Sequence, residues 1–454
     1  MKTSLIIFLF VCNIAFSQTG KGWQSLFDGK TLTGWKKMDG TAQYRVEEGA
    51  IAGITTAGSP NTFLVCEKKF PGDFILELEA KMDDTTTNSG VQFKSNHNPA
   101  ANGGKGRLYG YQYEMDPSSR RWSGGIYDEA RRDWLYPVSL NQAAQIFFTP
   151  GVYHTIRIEC FGNSVRTWLD GKAVAYLVDS ITANEGLIAL QVHSISKPEL
   201  AGIKCYWKNI RIKTTDIQPA PFPPGVYVVN LQPNTLADYE KQDGWKLLFD
   251  GATSNGWTGA YKKSFPGKGW KIENGMITVL PSTGGESTNG GDIVTTEQFS
   301  AFDLSFEFKL TPGANSGVKY FVTLTENNPG SAIGLEYQLL DDTLHPDAKM
   351  GRDGNRTLAS LYDLIKANKQ SRFIKQPGNW NSGRIIVYPN NHVEHYLNGV
   401  KVLEYERGSQ VFRDLVAISK YKTWPNFGEA LLGHILLQDH GNEVSFRSIK
   451  IKTL

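Results

Sequence analysis

Apolar and polar positions alternate with a period of two along much of the chain. Phe74–Met82 and Phe302–Leu310 each place apolar side chains on one face, the mark of a half-buried strand. Residues 152–169 and 384–397 continue in the same way and close on Asp170-Gly171 and Asn398-Gly399, pairs that tolerate positive φ and make hairpin turns. About a dozen such strands in each half, punctuated by turn residues, predict an all-β fold of two-sheet jelly-roll sandwiches. Only 356–368 reads as briefly helical.

The pattern runs twice. Residues 22–35, Gly-Trp-Gln-Ser-Leu-Phe-Asp-Gly-Lys-Thr-Leu-Thr-Gly-Trp, recur at 244–257 with nine of fourteen positions identical. Segments 45–51 and 271–277 match, as do the Asn-Ser-Gly-Val runs at 88–91 and 315–318. Ile126-Tyr127-Asp128 pairs with Leu361-Tyr362-Asp363, residues 168–171 with 396–399, and residues 190–193 with 437–440. So long a period means two whole domains rather than a solenoid. They are placed at 18–213 and 244–454, in tandem, joined by a stiff linker at 214–243 that holds five prolines.

Composition narrows the function. The 454 residues carry 40% hydrophobic and 12% aromatic side chains, enough to fill two cores. The net charge is +3 and no run of five basic residues occurs, so nothing points to a nucleic-acid or anionic-membrane partner. Residues 1–17 read as a secretory leader: Lys2, an apolar run at 5–11, then Ala15-Phe16-Ser17 before Gln18. The apolar run is too short to span a bilayer, so a secreted or periplasmic protein is expected. Cys12 raises a lipoprotein alternative, against which stands the bulk of Val11. Cys66, Cys160 and Cys205 allow at most one disulfide, between Cys160 and Cys205, or three buried small side chains.

Candidate chemistry lies on the middle strands. Gln112, Glu114 and Asp116 fall at i, i+2 and i+4, on one face. Glu336 and Gln338 repeat the row, with Asp341 and Asp342 just beyond. Such a row suits the floor of a sugar groove, supplying a general base and hydroxyl contacts, or else a solvated outer face. Tyr127-Asp128 and Tyr362-Asp363 pair a ring with a carboxylate, as sugar contacts or as core tyrosines. His193 and His440 follow Gln191 and Gln438 at matching places and are structural or functional. Lys319 and Lys420 join the candidate substrate contacts. His392 and His395 sit three apart on a strand and point to opposite faces, against a shared metal. The oxygen-rich loop 341–353 is a candidate for a divalent cation such as Ca²⁺, without the spacing of a regular calcium loop.

Taken together, the Leu-Phe-Asp-Gly…Gly-Trp openings, Asn-Ser-Gly, Glu-Tyr-Gln at 336–338, His-Pro-Asp-Ala-Lys at 345–349, Leu-Tyr-Asp at 361–363, His-x-Glu-His-Tyr-Leu-Asn-Gly at 392–399 and Leu-Gln-Asp-His-Gly at 437–441 resemble the 3-keto-disaccharide hydrolase family. The resemblance spans both halves, the second more fully. It implies a concanavalin A-like jelly roll acting on glycosides whose sugar C3 is a ketone. A C3 ketone acidifies the C2 proton, so one base can form an enolate, the aglycone leaves C1 by β-elimination, and water adds back. The resemblance then implies Glu336 or His440 as base, Gln338 and Tyr362 as donors, and Asp341 and Asp363 orienting sugar or a cation. The first copy departs from this pattern, with Gln112 in place of Glu336. A laminarinase-type glycanase, a carbohydrate-binding protein without catalysis and a structural export protein are the alternatives.

Overall fold

A computed structural model describes residues 22–283, 285–325 and 332–454; the leader expectation falls on residues outside these. Among the described residues the chain forms two β-sandwiches in tandem, each of two mainly antiparallel sheets. The inner faces pack aliphatic and aromatic side chains between the sheets. In the first domain Leu76, Leu78 and Ala80 meet Val91, Phe93, Tyr111 and Tyr113; in the second Leu304, Phe306 and Phe308 meet Val318, Tyr320, Leu335 and Tyr337. The period of two holds: on each of these strands the intervening residues face away from the core.

The front sheets have the same strand order. In the first domain it runs Trp35–Met38, Thr62–Cys66, Glu185–Val192, Ser89–Asn98, Arg107–Met115, then the hairpin Ile126–Glu129 and Asp133–Tyr136. In the second it runs Trp257–Gly259, Ile293–Thr295, His434–Leu437, Asn315–Thr323, Ile333–Leu340. There a loop bridged to the edge strand at Leu361 replaces the hairpin.

The repeated opening motif is a structural device. Asp28 accepts the backbone N–H of Lys30 and Thr31, each at 2.7 Å, and Asp250 accepts those of Ala252 and Thr253. Trp35 and Trp257 then donate their indole N–H to the carbonyls of Leu26 and Leu248. Each motif thus folds a turn onto itself and pins it to the sandwich.

Three local readings change. Residues 356–368 form turns rather than a helix, because Ala359 and Asp363 take positive φ and Leu361 bonds back to Ile365. The proline-rich linker is more than a spacer. Its Val228–Asn230 pairs in parallel with Lys172–Val178 of the first domain, while Glu240 forms a buried ion pair with Lys450 of the second. Finally, Cys66, Cys160 and Cys205 are all free and buried.

Candidate active site

The outward face of the second domain's front sheet carries the polar row. Lys319 lies directly opposite Glu336, and Gly317 opposite Gln338; opposed residues share a face. On the other side the backbone of Gln438 bonds to Gly317, so Gln338 and Gln438 flank a residue with no side chain. A Cβ on Gly317 would stand 2.5 Å from Glu336 Oε1. The glycine is what lets the Glu336 carboxylate lie across the middle of the floor.

Burial makes this floor reactive. Glu336, Lys319, Gln338 and Gln438 are all buried. Loss of hydration pushes the Glu336 carboxyl up to about 7, against the pull of the Lys319 and Lys420 ammoniums. Among the described residues none donates a hydrogen bond to the Glu336 carboxylate, and both polar side-chain atoms of Gln338 and Oε1 of Gln438 have no partner. Buried polar atoms seldom stay unpaired, so the floor presents open valences to a ligand. Lys319 donates to the carbonyl of Ala332 at 3.3 Å and lies 3.8 Å from both Glu286 and Asp292. Burial opposes its charge, but Asp292, Glu336 and Glu286 more than offset that.

Glu286 and Asp292 come from the loop before Ile293–Thr295 and were not singled out from the sequence. Asp439 accepts the backbone N–H of Gly290 and Gly291, each at 3.0 Å, and so anchors that loop. Gln438 donates to Glu286 at 2.9 Å. Burial would raise the Glu286 carboxyl, yet Lys319, His440 and Gln438 hold it below its ordinary value. Asp292, fully enclosed, is pushed up to about 6 by burial. For Asp292 the signal was the contrast between copies: aligned on Trp35 and Trp257, it stands where the first domain has Phe63.

The other candidates divide. His440 borders the row, its Nε2 3.3 Å from the Asn315 amide nitrogen, and burial lowers its basicity. Lys420 sits 4.1 Å above the Tyr362 ring, and burial lowers its ammonium. The Tyr362 hydroxyl is committed to Asp347 at 2.8 Å, and Arg356 bridges Asp347 to Asp363. Asp363 also accepts the backbone N–H of Lys420 at 2.7 Å, so it positions rather than faces the groove. Asp341 is drawn away altogether: its oxygens accept the backbone N–H of Gly313, Thr343 and Leu344. In the loop 341–353 the carboxylates of Asp341, Asp342 and Asp347 are likewise taken by N–H groups, Lys369 and Arg356, an arrangement that does not fit a cation. Elsewhere His392, Glu394 and Glu404 come together, with Lys401 bonded to both glutamates. His395 points the other way, to Tyr320 in the core.

In the first domain the same positions are filled differently. Gln92 and Gln112 stand where the second has Lys319 and Glu336, and Glu114 stands where it has Gln338. Ser95 donates to Gln92, Gln92 to Gln112 at 2.7 Å, and Gln112 to Glu114 at 2.7 Å. Burial first, then Asp116, pushes the Glu114 carboxyl up to about 8. Gln191 lies beside Glu129. His193 is tied to the carbonyl of Ser194 at 2.6 Å, and Tyr127 donates to Asp133. Asp116 caps the turn after the strand and pairs with Arg120 at 2.7 Å. Asp128 is enclosed and held by Arg131 and Arg132, so it does not join the row.

A family model described as a 3-keto-alpha-glucoside-1,2-lyase-like domain matches residues 22–213 and again 244–452. A 3-keto-disaccharide hydrolase of Bacteroides thetaiotaomicron is 40% identical over 233 residues, which are 47% of this chain and 79% of that protein. Among solved structures, a proposed glycosyl hydrolase of Parabacteroides distasonis is 29% identical, covering 49% of this chain and 100% of its own, with a TM-score of 0.43. A second from the same organism is 25% identical, over 44% and 100%, with a TM-score of 0.33.

Proposed function

The chain belongs to the 3-keto-alpha-glucoside-1,2-lyase-like family, twice over, and from that premise we propose that its second domain cleaves 3-keto-glycosides by elimination. That the protein is a carbohydrate-active, glycosyl hydrolase-like enzyme follows from the family and the relative; the keto-sugar route is the finer reading. The observation that carries it is a buried carboxylate near neutral pKa, its oxygens free of hydrogen bonds, on the rung opposite a buried ammonium.

Glu336 takes the C2 proton, for which a base poised near pH 7 is best placed. The C2–H electrons move into a C2–C3 enolate whose oxygen gains negative charge, and Lys319 supplies fixed positive charge on the same face. As the enolate reforms the ketone, the C1–O bond breaks and the aglycone oxygen takes a proton. Water added across the C1–C2 double bond returns a proton to C2 and a hydroxyl to C1, a net hydrolysis. Gln338 and Gln438 offer hydroxyl contacts, and the Tyr362 ring with Lys420 forms one wall. A pair of facing carboxylates, as in ordinary glycosidases, is not required by this route.

The test is the chain's action on a 3-keto-disaccharide and its unoxidised parent, run in D₂O. Release of aglycone from the keto form alone, with deuterium at C2 of the product, is the expected result; equal cleavage of the parent contradicts it. Residues 1–17 add the proposal that the enzyme works outside the cytoplasm, checked by whether the mature protein begins at Gln18.

A further inference from the structure

The two sandwiches touch directly: Ser139 donates to the carbonyl of Gly399 at 2.6 Å, and Gln142 to the Tyr396 hydroxyl at 2.7 Å. Beside these contacts, between the domains and the linker, lies a cleft of about 480 Å³. Its floor is the outer face of the second domain's rear sheet, where Ser305 and Glu307 alternate with the core residues Leu304, Phe306 and Phe308. Glu336 stands on the other sheet of that sandwich, so the cleft and the groove are separate places. The linker holds one wall, through its pairing with Lys172–Val178 and the 2.8 Å bond between Tyr227 and Ser305. A cleft of this size falls within the usual range of small-molecule sites, about 300–1,000 Å³, and domain boundaries are where such sites collect.

Charge decides what the cleft would take. Most of its cations are matched: Arg384 by Asp303, Lys450 by Glu240 and Arg447 by Glu307. Lys375 is not. Among the described residues it bonds only through its backbone, to Asn381. Loss of hydration lowers its ammonium, Glu307 opposes this, and the like charges of Arg447 and Arg132 add to it. Both arginines also keep donors in hand. Arg132 uses Nε and Nη2 on Asp128 and Asp179, and Arg447 uses the same two on Glu307. Nη1 of each is free of bonds to the described residues. Converging cations with one unmatched favour an anion, and guanidinium N–H groups fit the planar oxygens of a carboxylate. The wall beside them is apolar, formed by Leu135, Val229 and Leu231, half-buried, and by Ile181, 64% exposed.

We propose that the cleft between the domains binds a small organic monocarboxylate, its acid group shared by Lys375, Arg132 and Arg447 and its apolar body laid against Leu135, Val229, Leu231 and Ile181. A ligand held this way ties the first domain to the second and leaves the Glu336 groove open.

The test is calorimetric titration of the full chain with 2-naphthoate, and with 2-naphthalenemethanol as its neutral counterpart, at low ionic strength. The expected result is one saturable site for the carboxylate that the alcohol does not fill. Affinity should fall about tenfold or more in Lys375→Gln, the weight of a hydrogen bond to a charged group. It should hold in Lys319→Gln, which removes the cation of the groove instead. Lys375→Gln breaks no side-chain bond, so its melting temperature should hold. Should it fall, Ile181→Asp serves as the second variant, with the same weakening expected. No binding of naphthoate, equal binding of the alcohol, or binding that the folded variant leaves intact overturns the proposal.

Discussion

In the first domain Gln112 accepts from Gln92 and donates to Glu114, whereas in the second Glu336, on the same rung, receives nothing and faces Lys319. One floor is centred on two amides and a carboxyl that bond to one another, with Gln191 Oε1 left open; the other is a set of charges and amides left largely incomplete. The strand order and the glycine of the floor are shared, so the difference lies in the floor's side chains and in the loops that border it. A self-satisfied polar chain is rigid and inert, while an unsatisfied one is costly to the fold and available to a substrate. On this contrast the proposed cleavage belongs to the second domain.

The largest effect expected is from converting one floor toward the other. Glu336→Gln, which copies Gln112, should lower turnover by about 10²–10⁴-fold, the usual weight of a general base, with an unchanged melting temperature. Lys319→Gln, which copies Gln92, should cost about 10–10³-fold through lost electrostatic stabilisation. It should also move the pH profile. Glu336 acts as a base only when ionised, so activity should climb as pH rises through about 7. Without the Lys319 ammonium that limb should shift to higher pH, a change visible in kcat/KM against pH.

Gly317→Ala comes next. Its Cβ would strike Glu336 Oε1, and displacing the base by about 1 Å should cost on the order of 10²-fold in kcat with little change in stability. Asp439→Ala should unanchor the loop that carries Glu286, since two backbone N–H groups lose their acceptor. About 1–3 kcal/mol of stability should go with it, read by denaturant unfolding.

The smallest effect is on stability against pH. Glu336 and Glu114 titrate higher in the folded protein, about 7 and about 8, than the ordinary 4.5. Between those values the folded state binds more protons than the unfolded, so stability should fall as pH rises from about 4.5 to 8. Glu114→Gln should flatten the upper part of that slope in thermal melts across pH.

Much of this was legible in the chain because it is written twice. Alternation gave the strands, and the repeated Asp-Gly-x-Thr and Trp positions gave two domains, since a turn cap and an anchored indole need those residues. The polar row was visible as Gln112-x-Glu114 and Glu336-x-Gln338. Asp341 and Asp128 were misplaced because sequence shows a carboxylate but not which N–H groups or arginines claim it. Residues 356–368 looked helical by composition, yet left-handed backbone at Ala359 and Asp363 folds them as turns. Glu286 and Asp292 went unseen because their loop is longer than its first-domain counterpart, residues 55–61, and carries different residues; only tertiary packing brings it over Lys319.

The central claim, that one carboxylate in the second domain performs the cleavage, rests most directly on a single comparison. Aglycone release from a 3-keto-disaccharide should be measured for the wild-type chain and for Glu336→Gln at equal folded concentration. At least a hundredfold loss in the variant is the predicted result. Retention of more than about a tenth of the wild-type rate, where a general base carries at least 10²-fold, would contradict the account.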